Sequence, residues 1–198
     1  VPTTTGLTLT GIAGTGFGKS VDTAGDLNQD GHVDIIVGAY NAIGGNGVVY
    51  VIYGREASLL GNINVGSPTL VPQTTGFTIT DSSTNYHVGY SIASAGDVNG
   101  DGYPDIIASQ DLYQSSQGAA YVVYGGSKST RQNINVGVTP LDPATTGFKL
   151  VGSAVNDGFS YTVSKAGDVN GDGYDDIIVG AYPRNGFQGA AYVVYSSN

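Results

Sequence analysis

Three copies of one short segment constrain this chain more than anything else in it. They read Ala-Gly-Asp-Leu-Asn-Gln-Asp-Gly-His-Val-Asp at 24–34, Ala-Gly-Asp-Val-Asn-Gly-Asp-Gly-Tyr-Pro-Asp at 95–105 and Ala-Gly-Asp-Val-Asn-Gly-Asp-Gly-Tyr-Asp-Asp at 166–176. The first aspartates, Asp26, Asp97 and Asp168, stand 71 residues apart each time. Each copy contains Asp-x-Asn-x-Asp-Gly-x-x-Asp and runs at once into an apolar stretch, Ile35–Val37, Ile106–Ala108 or Ile177–Val179. A fixed motif at a fixed period marks a repeat architecture, in which one unit cannot bury its apolar face alone and must stack on the next.

The spacing within the motif points to a metal. Oxygen donors at positions 1, 3, 5 and 9, with glycine at 6, suit a hard cation that takes about six to eight oxygens. The chain must curl tightly around such an ion, and Gly31, Gly102 and Gly173 can supply the positive φ that the curl needs. The first site is assigned to Asp26, Asn28, Asp30 and Asp34 with the backbone carbonyl of His32. The second takes Asp97, Asn99, Asp101 and Asp105 with the carbonyl of Tyr103; the third takes Asp168, Asn170, Asp172 and Asp176 with that of Tyr174. Three carboxylates and several neutral oxygens favour Ca²⁺ over Mg²⁺, which demands a tighter octahedron and keeps its waters. Three Ca²⁺ per chain are therefore expected. An EF-hand is excluded, because its bidentate Glu at position 12 is replaced by Val37, Ala108 and Val179, and its flanking helices by apolar β-branched runs.

Charge supports the same reading. The chain of 198 residues carries a formal charge of −9 from sixteen acidic and seven basic residues. Nine of those acids are the assigned ligands, so the acidity belongs to the loops rather than to the surface at large. The scattered Lys and Arg give no basic face for nucleic acid. No stretch is long and apolar enough for a membrane span. With no cysteine there are no disulfides or thiolate metal sites. The complete absence of Met marks an excised piece or mature form and leaves targeting open. Weak calcium sites fill best outside the cell, so an extracellular or cell-surface location is expected.

Around each loop the same strands recur. Thr-Gly-Leu-Thr-Leu-Thr at 5–10 returns as Thr-Gly-Phe-Thr-Ile-Thr at 75–80 and Thr-Gly-Phe-Lys-Leu-Val at 146–151. Small-residue strands begin at Phe17-Gly18, Val88-Gly89 and Phe159-Ser160, where glycine would allow close backbone approach. After the loops, strands end in Val37-Gly38-Ala39-Tyr40 and Val179-Gly180-Ala181-Tyr182, with Ala108-Ser109-Gln110-Asp111 departing in the middle copy. Tyr50/Tyr53, Tyr121/Tyr124 and Tyr192/Tyr195 mark a third strand; their spacing puts the two members on opposite faces, where they would pack between neighbouring sheets. The chain thus reads as a single all-β domain, 1–198, of three four-stranded antiparallel blades with no helix. Blade one covers 17–80, blade two 88–151, and blade three 159–195 with an outer strand at 6–10. Radial repetition of such units makes a β-propeller.

Phe17-Gly18, the Asp-x-Asn-x-Asp-Gly-x-x-Asp loop and Gly38-Ala39-Tyr40 together resemble the FG-GAP repeat of the integrin α-subunit β-propeller. The resemblance spans essentially the whole chain. It implies a seven-bladed propeller ring, calcium in the loop between inner and second strands, and a role in adhesion or recognition.

Three blades are too few to close a ring, which takes about four to eight. The outer strand that blade three lacks stands at the front of the chain. Between two chains, each strand 6–10 would complete the other's third blade, so a homodimer closing a six-bladed, two-fold ring is expected; an open fragment of a larger integrin-like propeller is the alternative.

The loops opposite the calcium rim vary between copies, and variable loops on a repeated frame are where recognition sits. Tyr86, His87, Asp111, Tyr113, Asn156, Asp157, Arg184 and Phe187 are candidates there for a protein or glycan ligand. The function expected is a calcium-binding scaffold for adhesion or ligand recognition, with a lectin-type propeller as alternative. An enzyme is not expected: His32 and His87 are the two histidines, Glu56 has no partner Glu, and there is no nucleophile elbow.

Overall fold

Each Asp/Asn/Gly loop joins two strands, and the strands stack into a succession of sheets. The computed structural model describes residues 6–56, 61–66, 69–83, 86–182 and 188–197. In chain order the strands are β1 (Leu9–Thr10), β2 (Phe17–Gly25), β3 (Asp34–Ala39), β4 (Val48–Ile52), β5 (Ile63–Asn64) and β6 (Gly76–Thr80). Then come β7 (Val88–Gly96), β8 (Asp105–Gln110), β9 (Ala119–Val123), β10 (Ile134–Asn135) and β11 (Gly147–Val151). The last three are β12 (Thr162–Gly167), β13 (Asp176–Ala181) and β14 (Ala190–Val194).

Sheet one has the order β10-β6-β4-β3-β2, sheet two β11-β9-β8-β7 and sheet three β12-β13-β14; β1 and β5 form a separate pair. Neighbours in the three sheets are antiparallel, except that β10 lies parallel to β6. The expectation of four strands per blade is therefore corrected for sheet one. Sheet one gains a fifth strand from the connection that leaves sheet two, and sheet three has three strands among the described residues. The N-terminal segment, expected on a partner's third blade, here pairs in parallel with Ile63–Asn64 of its own chain. A further departure is two short helical turns, Ala42–Gly45 and Tyr113–Ser116, where no helix was expected. Both contain residues in the left-handed region, Ile43 and Gly44 in one, Gln114 and Ser115 in the other, so neither propagates.

The core lies between sheets. One buried cluster joins Leu27, Ile36, Val51, Tyr53 and Phe77 of sheet one to Val88, Ile106, Tyr121 and Val123 of sheet two. A second joins Val98, Ile107, Val122 and Tyr124 of sheet two to Phe159, Val163 and Ile177 of sheet three. A third caps the outer face of sheet one with Leu9 and Ile63. Burial of such faces stabilises by roughly 25 cal/mol per Å² of apolar area. The tyrosines obey the alternation. Tyr50 belongs to the outer cluster and meets Phe17 edge-on at 5.6 Å, while Tyr53 faces sheet two. The hydroxyls of Tyr53 and Tyr124 donate to the carbonyls of Pro72 (3.1 Å) and Pro143 (3.2 Å).

The residue after Phe17, Val88 and Phe159 is conformationally special. Gly18, Gly89 and Ser160 have φ of 83°, 85° and 62°. Nothing lies within 4 Å of a Cβ built on Gly18, so the reason for glycine there is backbone conformation and not crowding. Ser160 takes the same conformation as a non-glycine residue, and its hydroxyl donates to the Ala119 carbonyl at 2.6 Å, tying sheet three to sheet two.

Candidate metal centre and facing rim

The three loops are built alike from their own backbone upward. At position 6, Gly31, Gly102 and Gly173 have φ of 89°, 87° and 93°, as the tight curl requires. At position 1 the carboxylate accepts the amides that the curl turns inward. Asp26 takes Asp30 N (2.9 Å) and Gly31 N (2.8 Å), Asp97 takes Asp101 N and Gly102 N, and Asp168 takes Gly171 N, Asp172 N and Gly173 N. At position 5, Asp30, Asp101 and Asp172 each accept the amide two residues on.

Position 9 does more than the spacing indicated. Asp34, Asp105 and Asp176 are fully buried. One oxygen of each accepts the amide at position 2 of its own loop, from Leu27, Val98 or Val169. The other accepts an amide just past the third strand, Gly54 at 2.8 Å, Gly125 at 2.8 Å or Ser196 at 2.9 Å. This residue therefore straps the loop to the sheet. Burial pushes the Asp34 carboxyl up to about 6 and that of Asp105 up to about 7, against the amide hydrogen bonds that favour the charged form; the other loop carboxylates push the same way as burial.

At position 3 the copies differ. Asn99 and Asn170 use Nδ2 on Asp101 and Asp172 and Oδ1 on the amides of the same residues. Asn28 turns Nδ2 to Asp34 instead (3.2 Å), which leaves its buried Oδ1 with no hydrogen-bond donor. An orphaned acceptor in the interior is costly, and a cation is one way to satisfy it. The donor set, three carboxylates, an amide oxygen and a backbone carbonyl per loop, fits a hard cation. Among the described residues no three acidic or imidazole groups converge on one point; the carboxylates are turned to backbone amides. His32 sits with Nδ1 3.3 Å from Asp30 Oδ1. Tyr103 packs its Cβ by Gly125, and Tyr174 lies over Gly100.

Several residues at this rim were not singled out by the motif. Lys128 Nζ reaches Asp30 Oδ2 at 2.9 Å from the connection after sheet two. Gln29 donates to the Gly102 carbonyl at 2.8 Å, linking the first loop to the second. Asp175 Oδ2 accepts Asp97 N (2.9 Å) and Lys165 Nζ (2.7 Å), linking the second to the third. Asp30, His32, Arg55, Glu56 and Lys128 line one open cleft, so the long connections share the rim of the loops. Asp175 stands where the other copies have Val33 and Pro104; that difference was the available signal.

The opposite rim gathers the variable segments. Tyr86 meets Tyr113 edge-on at 5.4 Å, and His87 Nδ1 is 3.1 Å from Asp111 Oδ1. Asn156 N donates to Ser115, and Asp157 accepts from Ser153 and Ala154, so these two shape a loop. Arg184 and Phe187 lie outside the described residues. An aromatic band missed by sequence reading runs Tyr40–Tyr90–Tyr161–Tyr182, with ring centroids 5.7, 5.2 and 5.1 Å apart and the Tyr90 and Tyr161 hydroxyls 3.0 Å apart. Lys19 Nζ lies 4.7 Å from the Tyr90 ring.

Behind this rim is a buried polar network where the middle copy departs from the others. Gln110 donates to Asp81 Oδ2 at 2.6 Å and accepts from the Tyr121 hydroxyl at 2.9 Å. All three residues are buried.

Comparison with known proteins matches this repeated unit. The FG-GAP repeat family model fits residues 17–52, 88–123 and 159–194. Integrin alpha-7 of Mus musculus is 32% identical over 174 residues, covering 84% of this chain and 12% of the relative. Integrin alpha-4 of Xenopus laevis is 30% identical over 175 residues, covering 85% and 14%. Integrin alpha-6 of Gallus gallus is 38% identical over 99 residues, covering 50% and 8%. The chain thus spans a small part of the length of these relatives.

Proposed function

This chain belongs to the FG-GAP repeat family, and from that premise we propose that it is a calcium-loaded β-propeller scaffold for adhesion or ligand recognition outside the cell. The observation that carries the calcium reading is the buried, donorless Oδ1 of Asn28 inside a donor set stated three times. Asp26, Asn28, Asp30, Asp34 and the His32 carbonyl would hold the first ion, and their counterparts in the other loops two more. The role of the metal is structural. It offsets clustered carboxylates and fixes the loop between the inner and second strands. The scaffold is non-enzymatic.

Ligand recognition falls to the rim opposite the loops. The tyrosine band there combines ring faces with hydroxyls. That combination also favours a second reading, a lectin-type site for a glycan. Immobilised chain in calcium, probed with matrix proteins and with a glycan array, separates the two. Protein capture lost on Tyr161→Ala and in chelator supports adhesion, and glycan-only capture supports the lectin. Absence of both, with turnover of ester or glycoside substrates, would overturn the scaffold reading.

A further inference from the structure

The second and third loops are joined backbone to backbone through one residue, Asp175. Its amide donates to the Asp97 carbonyl at 3.1 Å, and its Oδ2 accepts the Asp97 amide at 2.9 Å. The two residues exchange hydrogen bonds in both directions although 78 positions separate them. Lys165 Nζ of β12 holds the same Oδ2 at 2.7 Å and fixes the carboxylate from the other side. A Cβ built on Gly96, just before Asp97, would run into this carboxylate, so glycine leaves the space that Asp175 fills. Next to Asp175, the Tyr174 ring lies over Gly100, the fourth residue of the second loop.

The same contact recurs one loop earlier without the bonds. Pro104 stands at the corresponding place in the second loop and packs against Gly25, just before Asp26. A Cβ on Gly25 would fall 2.8 Å from Pro104 Cγ. Proline has no amide hydrogen and no carboxylate, so it cannot exchange hydrogen bonds with the first residue of the preceding loop. Loops one and two meet instead through Gln29 and the Gly102 carbonyl, a bond made by an exposed side chain. Among the described residues no hydrogen bond joins the first loop to the third.

Asp175 also stands between two donors of its own loop, the Tyr174 carbonyl at position 7 and the Asp176 carboxylate at position 9. Asp97 is the first donor of the second loop, and its carboxylate gathers the amides of Asp101 and Gly102. The backbone that sets positions 7 and 9 of one loop is therefore bonded to the backbone that sets position 1 of the other. Ordering either loop orders part of its neighbour, and that conformational entropy is then lost only once. Coupling of this kind acts equally in both directions.

We propose that Asp175 makes loops two and three a cooperative pair of calcium sites, with loop one independent of loop three. The inference rests on the calcium reading above and adds how the sites act on one another. Asp175 is a positioning residue and not a ligand, since its Oδ2 is committed to Asp97 N and Lys165 Nζ. Occupation of either loop of the pair raises the affinity of the other by about five- to tenfold, the lower part of the usual range for linked sites.

The test measures calcium binding by competition with a chelating dye. Asp30→Ala, Asp101→Ala and Asp172→Ala each disable one loop, so the single variants keep a pair of loops and the double variants keep one. In Asp30→Ala the product of the two association constants should exceed the product for loops two and three alone by about five- to tenfold. In Asp101→Ala, which keeps loops one and three, the products should agree within about twofold, as for sites without contact. In the Asp30→Ala background, Asp175→Val should abolish the excess, and Asp175→Asn, which keeps an oxygen for the Asp97 amide, should retain it. A purely structural role for Asp175 would weaken both loops and leave the excess unchanged. Equal products in Asp30→Ala overturn the proposal and leave the calcium reading intact. An excess that survives Asp175→Val overturns the role of Asp175. No calcium bound by the unmodified chain at millimolar concentration fails the calcium reading and the proposal together. Where a loop variant does not fold by circular dichroism, the unmodified chain is titrated against Asp175→Val alone. A less steep isotherm in the variant is then expected, and equal steepness overturns the proposal.

Discussion

Lys128 Nζ lies 2.9 Å from Asp30 Oδ2, so the connection that leaves sheet two closes over the first loop of sheet one. Burial alone would push the Asp30 carboxyl up; the Lys128 ammonium, aided by the His32 amide, holds it below the usual carboxylate value. The same ammonium competes with any cation for Asp30. Lys128→Met should therefore tighten calcium binding at the first loop severalfold while leaving the other two loops unchanged. In chelator it should cost less than about 1 kcal/mol, since the pair is partly exposed. Calcium titration of the variant against the unmodified chain checks both, and weaker binding would contradict this role for Lys128.

Asp30→Ala removes a donor from one loop of three. At free calcium about a hundredfold above the dissociation constant, one site contributes about 3 kcal/mol to stability. The variant should lose roughly that amount in calcium and much less in chelator. Equal losses under both conditions in paired melting curves would rule out a metal-mediated effect.

The Gln110 network should be sensitive out of proportion to its size. Gln110→Leu leaves Asp81 and the Tyr121 hydroxyl without their buried partner. A cost of roughly 1–3 kcal/mol for each unsatisfied group is expected. Adding Tyr121→Phe removes one of the two orphans, so the double variant should be destabilised less than the sum of the singles. A double-mutant cycle by urea denaturation reads this coupling, and additive effects would show that the three residues act separately.

Gly118, just before β9, packs directly against the backbone of Phe159. A Cβ there would fall 1.8 Å from the Phe159 carbonyl oxygen, and φ is 83°. Gly14 has a similar φ of 80° with nothing within 4 Å of its Cβ position. Gly14→Ala should carry only conformational strain, roughly 1–3 kcal/mol. Gly118→Ala should exceed it clearly, because backbone must move. Comparable melting shifts for the two would mean that this contact between sheets is not tight.

These comparisons show which features the sequence encodes locally. The loop glycines, the strands around them and the tyrosines of sheets one and two follow from φ, period and spacing; Tyr192 and Tyr195 of sheet three, expected to pack between sheets, are instead 44% and 60% exposed. The fifth strand was hidden because two residues, Ile134 and Asn135, carry too little periodicity to read as a strand; the recurrence of Asn-Ile-Asn-Val-Gly was its trace. The turns at Ala42–Gly45 and Tyr113–Ser116 rest on left-handed residues such as Ile43 and Gln114, which no propensity favours. At the site, donor types were legible, but the strapping role of Asp34 was not, since Gly54 is 20 residues away. Lys128 is 98 residues from Asp30, and only the stacking of sheets brings them together.

The most direct measurement is calcium stoichiometry by equilibrium dialysis of the unmodified chain, followed by Asp30→Ala. Three Ca²⁺ per 20.1 kDa chain, falling to two in the variant, is the result expected if each loop holds one ion. No calcium retained at millimolar concentration, or a count unaffected by Asp30→Ala, would contradict the assignment of these loops as metal centres.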